Sequence, residues 1–235
     1  MSVKYYQSLD HLGVKFDAQG RALPYAGASL VCHVPLFTPF SDCLVAIRDR
    51  LRASAFASCL SLVPPESYHM TVFEGAVDRR RTREQWPAAL PLEAPLATAI
   101  EHVADRLRGF ALECALPLRM RLAAPAEQTC LGMLRLLPAD DAEARKLARL
   151  RDRLSARLGI RRQDHASYPF HVTLGYLLRA LDPTQIAQAG LFLGSLCATR
   201  DAALDTLDFG APEFCTFENM RAYDNRFLLG RDAPP

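Results

Sequence analysis

The order of hydrophobic and polar positions predicts alternating strands and helices along the chain. Short β-branched runs indicate strands, and apolar residues that recur at helical spacing indicate helices. The clearest repeat is Leu147, Leu150, Leu154 and Leu158, which stop just before Gly159. The predicted strands cover 28–35, 68–73, 116–122, 130–137, 168–176, 213–220 and 226–229, and the predicted helices cover 42–58, 93–110, 140–158 and 183–204.

The segments between these elements carry turn and loop signals. Residues 11–28 are rich in Gly, Pro and Asp and read as a lead-in to the first strand, and residues 78–97 combine a charge run with three prolines. Ser41 or Asp42 is available to cap the first helix. Residues 123–129 are expected to join two strands as a hairpin.

One pattern occurs twice: a strand, a helix, a loop with Ser-Tyr, and a strand with His-x-Thr. The first copy ends in His69 and the second in His171. His33 and Arg135 each stand 36 residues before the histidine of their own copy. This spacing predicts two related α+β lobes, the first at about 25–110 and the second at about 111–235, in one bilobal domain that allows strands to exchange between lobes.

The two motifs offer a matched set of polar groups. Side chains alternate faces along a strand, so the histidine and threonine of each motif point the same way. One neutral imidazole can accept a proton while a protonated one donates, and threonine hydroxyls can hold phosphate oxygens. A single such motif arises readily by chance, and histidines satisfied within amphipathic strands are the alternative reading. The candidate catalytic residues are His69, Thr71, His171 and Thr173.

Composition limits the other functions. The 235 residues are 50% hydrophobic with a formal net charge of +2, which argues against a strongly basic surface for nonspecific nucleic-acid binding. No segment is apolar and long enough to span a membrane. The seven cysteines are scattered, without a Cys-x-x-Cys pair, and fit neither a disulfide framework nor a zinc site. A cytoplasmic protein is the simplest expectation.

The paired motifs resemble the 2H phosphoesterase superfamily, which includes RNA 2′,5′-ligase-like proteins and cyclic nucleotide phosphodiesterases. The resemblance implies an α+β fold with two pseudo-symmetric lobes, each an antiparallel sheet with helices on its outer face, around a central groove. It also implies that the two histidines act as an acid–base pair without metal or cofactor. Tyr176 matches a position that touches phosphate or base in several members, and Glu74 takes the same offset in the first motif. Residues 13–20 and the strand at 28–35 resemble a less characterised bacterial branch.

Several further residues are candidates for substrate binding. His33 is expected beside the first motif, facing either the groove or the core. Tyr68 and Tyr168 could stack on a base or simply pack. Two groups of arginines could attract phosphate or merely form a solvated face: Arg119, Arg121 and Arg135 on strands, and Arg79, Arg80, Arg81 and Arg83 in the charge run.

The leading hypothesis is metal-independent hydrolysis of a cyclic phosphodiester, such as the 2′,3′-cyclic phosphate of RNA or a nucleotide. The alternatives are a non-catalytic nucleotide or RNA-end binding protein and an RNA 2′,5′-ligase-type transferase. The expected partner is therefore a nucleotide or RNA terminus. The protein is expected to be a monomer that does not associate with a membrane. The sequence leaves open which histidine is the acid and which oxygen leaves.

Overall fold

The computed structural model describes residues 9–124, 127–128, 130–198 and 206–230. Within these ranges the chain forms four helices and ten strands. The helices are α1 (Pro39–Arg52), α2 (Leu96–Leu107), α3 (Asp141–Leu158) and α4 (Pro183–Ala198). The strands are β1 (Gly27–His33), β2 (Leu60–Leu62), β3 (His69–Val77), β4 (Leu118–Leu122), β5 (Met133–Pro138), β6 (His171–Thr173), β7 (Gly175–Leu177), β8 (Leu207–Phe209), β9 (Glu213–Phe217) and β10 (Asp224–Leu228).

Eight of these strands form one antiparallel sheet in the order β10-β9-β1-β3-β6-β5-β4-β8. The two motif strands, β3 and β6, are neighbours at its centre. The remaining strands, β2 and β7, form a separate antiparallel pair. The predicted α+β class is confirmed, and its two half-sheets are continuous through the β3–β6 contact.

The core lies between the sheet and its helices. Helix α2 contacts β3 and β1, and helix α3 contacts β3, β4 and β5. The predicted leucine repeat of α3 is buried. Asp140 caps the N-terminus of α3 by accepting a hydrogen bond from the Glu143 backbone, and Gly159 ends the helix with a φ of 65°.

The internal repeat recurs in three dimensions. Strand, helix, 3₁₀ turn and motif strand follow one another as β1, α1, Pro65–Ser67 and β3, and again as β5, α3, His165–Ser167 and β6. The two positions 36 residues before the motifs are equivalent as well. His33 pairs with His69 across β1 and β3, and Arg135 pairs with His171 across β5 and β6. Strands β9 and β10, from the C-terminal part of the chain, extend the half-sheet that β1 forms in the N-terminal part.

Three details differ from the sequence predictions. The predicted single strand at 168–176 is divided into β6 and β7, because the backbone N–H groups of Leu174 and Gly175 both donate to the Gly132 carbonyl and β7 turns away to pair with β2. The N-cap of α1 is Thr38, in a capping box with Ser41, rather than Ser41 or Asp42. Strands β2 and β8 are additional. Residues 199–204 of the predicted last helix lie outside the described residues, and no helix in the described part is long and apolar enough to cross a membrane.

Candidate active site

The two His-x-Thr motifs meet at the centre of the sheet. Met70 of β3 pairs with Val172 of β6, and both side chains are fully buried. In an antiparallel pair centred on these residues, the histidine of each motif lies opposite the threonine of the other. The side chains that flank Met70 and Val172 point to the opposite face, where they line one cleft: His69, Thr71, His171 and Thr173.

Both imidazoles are fixed by the same backbone contact. His69 Nδ1 lies 2.7 Å from the carbonyl oxygen of Ser67, and His171 Nδ1 lies 2.7 Å from that of Pro169. A carbonyl oxygen only accepts hydrogen bonds, so each Nδ1 carries the hydrogen. In the neutral ring Nε2 then holds a lone pair, and neither Nε2 has a partner among the described residues. Each ring is therefore arranged to exchange a proton through Nε2.

The surroundings of the two histidines are unequal. Burial lowers the pKa of His69 to about 4, against the opposing effect of the Ser67 carbonyl. Positive charge on His33, His171 and Lys15 lowers it further. At neutral pH, His69 is therefore an unprotonated base.

Burial also lowers the pKa of His171, against the opposing effect of the Pro169 carbonyl. Lys15 adds to this lowering, but the negative charge of Glu74 counteracts it. The negative charge of Glu74 favours the protonated form of His171, whereas the groups that shift the pKa of His69 include no carboxylate. His171 is therefore the better candidate to hold a proton.

Tyrosines form much of the cleft wall. The Tyr168 hydroxyl interacts with Thr71, and the Tyr176 hydroxyl interacts with Thr173. Burial raises the pKa of both phenols, so they remain neutral donors. Both predicted tyrosines thus lie beside a motif threonine. Tyr223, from the turn between β9 and β10, packs against the His69 ring at a tilt of 52°, with centroids 4.1 Å apart.

Glu74 occupies the position in the first motif that Tyr176 occupies in the second, and both line the cleft. Its carboxylate accepts hydrogen bonds from Arg80, at 2.8 Å, and from Arg162. Among the described lining residues, Glu74 is the one carboxylate, and two guanidinium groups already occupy it. The cleft therefore carries an excess of positive charge.

His33 lies beside His69 but not in the lining of the cleft. The two ring centroids are 6.0 Å apart. His33 Nδ1 is 2.9 Å from Glu213 Oε2, and Asn225 donates to the same oxygen at 2.8 Å. The structure therefore ties His33 to β9 and β10, where it influences His69 through charge.

His33, Glu213 and Cys215 are close enough together to be considered as metal ligands. Burial raises the pKa of the Cys215 thiol to about 12, so the thiol retains its proton. Both Glu213 oxygens accept hydrogen bonds from neighbouring groups, because the His33 backbone N–H donates to the other one. This chemistry fits a hydrogen-bonded cluster better than a metal centre.

The N-terminal segment supplies a cleft residue that the sequence reasoning did not identify. Phe16 is fully buried, and its ring lies 4.7 Å from that of Tyr176. His11 Nε2 lies 2.5 Å from the Leu177 carbonyl oxygen. These contacts attach the segment to β7 and bring Lys15 into the cleft lining. Its sequence signal, a lysine between turn residues, was too general to find it.

The other sequence candidates lie elsewhere or pair internally. Tyr68 is buried in the core and lies outside the cleft lining. Arg119 pairs with Asp140 and Glu143 at the start of α3. Arg135 is in register with His171 but lies outside the cleft lining. From the charge run, Arg80 reaches the cleft.

Comparisons with known proteins bear on the family and the fold of this chain. Residues 15–131 match the family model described as 2H-phosphodiest, a domain of unknown function (DUF1868). This match supports membership of the 2H phosphoesterase superfamily. The crystal structure of a conserved protein of unknown function from Agrobacterium tumefaciens is similar over 98% of this chain and 96% of that chain, with 28% sequence identity and a TM-score of 0.88. No curated protein sequence matches the chain.

Proposed function

We propose that this protein, whose match to the 2H phosphodiesterase model supports a phosphoesterase activity, hydrolyses a cyclic phosphodiester by acid–base catalysis with two histidines. The preferred substrate class is the 2′,3′-cyclic phosphate of a nucleotide or an RNA end. The observation that carries the proposal is the Met70–Val172 register, which sets each motif histidine opposite the other motif's threonine.

The two histidines take different roles in this proposal. His69, with its pKa lowered to about 4, removes a proton from the attacking water through Nε2. The water oxygen bonds to phosphorus while the bond from phosphorus to one ribose oxygen breaks. His171 donates its Nε2 proton to that oxygen, and the product is a phosphomonoester. Solvent then returns a proton to His171 and removes one from His69.

The negative charge of the substrate favours protonation of His171. Both imidazoles have lowered pKa values in the free protein, so few molecules carry a protonated His171 at neutral pH. An anionic phosphodiester close to Nε2 raises the pKa of the neighbouring imidazole by opposite-charge attraction. Because the negative charge of Glu74 favours the protonated form of His171, whereas the neighbouring positive charges disfavour that of His69, His171 gains the proton first, and substrate binding thereby prepares the acid.

The remaining cleft residues stabilise the charge of the phosphate. Thr71 and Thr173 donate to its two non-bridging oxygens, and the neutral phenols of Tyr168 and Tyr176 hold the threonines. Lys15 supplies a positive charge that a metal would otherwise provide. A metal would need free carboxylates, whereas Glu74 is shared by Arg80 and Arg162.

The tyrosine walls favour a compact substrate. Four lining tyrosines surround the motif face, which suits a cyclic ester at the end of a molecule better than the interior of a polymer. They are Tyr25, Tyr168, Tyr176 and Tyr223.

The test is a screen of 2′,3′-cyclic nucleotides, RNA ends with a cyclic phosphate and ADP-ribose cyclic phosphate. Product assignment by phosphorus NMR identifies which ester bond breaks. We expect at least one substrate to yield a single phosphomonoester, at the same rate with and without a chelator. Binding without turnover of every substrate would favour a nucleotide-end binding protein, and turnover abolished by the chelator would overturn the metal-independent mechanism.

A further inference from the structure

A second cavity adjoins the candidate active site. Four residues line both spaces and so form the partition between them: Lys15, Tyr25, Arg80 and Tyr176. The second cavity is also lined by His11, Arg79 and apolar side chains. The two spaces therefore adjoin at these four side chains.

Lys15 is held at the boundary by its backbone. Its N–H donates to the His11 carbonyl at 2.7 Å, and its own carbonyl accepts from the Leu23 N–H at 2.8 Å. The ammonium lies 5.0 Å from the ring centroid of Tyr25 and 5.5 Å from that of Tyr176. Within the described part of the chain, this ammonium makes no ion pair or hydrogen bond. A cation placed between two rings without an anion is positioned to receive one.

The cavity has an excess of basic side chains. Lys15, Arg79 and Arg80 line it, whereas Asp10 is its one acidic lining residue among those described. Arg80 donates to Glu74, and Arg162, which also donates to Glu74, has a second carboxylate partner in Asp164. The excess of positive charge therefore rests on Lys15 and Arg79. Arg79 is exposed and forms no ion pair with any described carboxylate. Burial, together with the charge of Arg80, lowers the pKa of Lys15 to about 8, and the negative charge of Glu74 opposes this lowering only in part.

The rest of the wall is apolar. Val14, Met133 and Leu177 line it beside the ring of Tyr176. A surface of this kind suits a planar, weakly polar group such as a nucleobase, while the basic side suits a phosphate. The two sides together match the two parts of a nucleotide.

We propose that this cavity is a second subsite that binds a phosphorylated nucleoside, with its phosphate between Lys15, Arg79 and Arg80 and its nucleoside against the apolar wall. The proposal deepens the proposed function and rests on it for the position of the cyclic phosphate. The substrate then carries a second phosphate beyond the one that is hydrolysed. A nucleoside 2′,3′-cyclic phosphate with a 5′-phosphate, or a larger nucleotide with a phosphate at that position, has this chemistry.

The binding test uses two product-like probes, adenosine 3′-monophosphate and adenosine 3′,5′-bisphosphate, measured by calorimetry. We expect the wild-type protein to bind the bisphosphate at least about tenfold more tightly, because a charge-assisted contact to the second phosphate contributes that much. Arg79→Ala should abolish this preference and leave the affinity for the monophosphate unchanged. Arg83→Ala removes the same charge from an exposed position outside both linings and is the matched control.

The kinetic test compares adenosine 2′,3′-cyclic phosphate with and without a 5′-phosphate. Arg79→Ala should lower kcat/KM about tenfold for the phosphorylated substrate only. If the bisphosphate preference exists but no cyclic substrate is hydrolysed, the subsite is supported and the proposed hydrolysis fails. If hydrolysis occurs without any preference for the second phosphate, the subsite is wrong and the hydrolysis stands. Equal losses in Arg79→Ala and Arg83→Ala would also overturn the subsite, since they would indicate only general charge attraction.

Discussion

The lowered pKa of His69 has a measurable consequence for stability. The folded protein holds this histidine at a pKa of about 4, whereas the ordinary pKa of an exposed histidine is 6.5. Between these values the unfolded chain binds the proton and the folded chain does not, so the free energy of unfolding rises with pH. The destabilisation caused by the lowered pKa of His69 is absent above about pH 6.5, grows as pH falls, and reaches its full size below about pH 4.

The magnitude follows from the same two values. The linkage between proton binding and folding implies that His69 contributes about 2 kcal/mol to the fall in the free energy of unfolding between about pH 7 and pH 4.5. His69→Gln keeps a polar side chain of similar size but cannot take up the proton. The other titrating groups are common to both proteins, so the difference between their pH dependences isolates His69.

The assay is urea denaturation of the wild type and His69→Gln at both pH values. We expect the wild type to lose about 2 kcal/mol more than the variant over this interval. His102→Gln makes the same chemical change on α2, outside the cleft, and controls for the substitution itself. Parallel pH dependences in the wild type and His69→Gln would refute the desolvation argument and, with it, the assignment of His69 as the base.

Five further substitutions test the anchoring of the N-terminal segment, the packing at β7 and the role of the motif threonines. Phe16→Ala should destabilise the protein by about 3 to 4 kcal/mol in urea denaturation, because it empties a fully buried position that anchors the N-terminal segment; a loss below about 1 kcal/mol would contradict that role. Gly132→Ala should lower the melting temperature, because the added Cβ would collide with a backbone carbonyl of β7. Gly190→Ala places its Cβ in open space on α4 and should raise the melting temperature slightly. Equal effects of the two substitutions would contradict the packing argument. Thr71→Val and Thr173→Val should each lower kcat/KM about a hundredfold with little change in stability, as expected for the loss of one phosphate donor; full activity in either would remove that threonine from the mechanism.

Much of the fold could be predicted because local patterns and tertiary packing agree. The leucine spacing of α3, its Asp140 cap and its final Gly159 all favour the same helix, and the structure forms it within one residue of the prediction. The motif strands were found for a similar reason, since each alternates buried and cleft-facing positions.

The break between β6 and β7 could not be read from the sequence. The run 168–176 carries the motif strand together with Pro169 and Gly175, and the close approach of Gly132 to Gly175 fixes where it divides. That approach is a contact between distant segments, so no local pattern reports it.

The candidate site also contains residues that the sequence predicts and residues that only tertiary contacts bring together. The four motif side chains follow from strand alternation and repetition within the sequence. Lys15 and Tyr223 come from an irregular segment and a turn, and tertiary contacts alone bring them to the cleft. His33 had the right spacing, but its side chain lies outside the cleft lining and contacts Glu213 on β9.

The most direct test of the central claim is the single-turnover rate of His69→Ala and His171→Ala on the best cyclic substrate. We expect each variant to lose at least about a hundredfold in rate and still to bind the product nucleotide. The double variant should be little slower than the worse single variant, because the two histidines act as a unit. A folded single variant that turns over within a few-fold of the wild type would contradict the two-histidine mechanism.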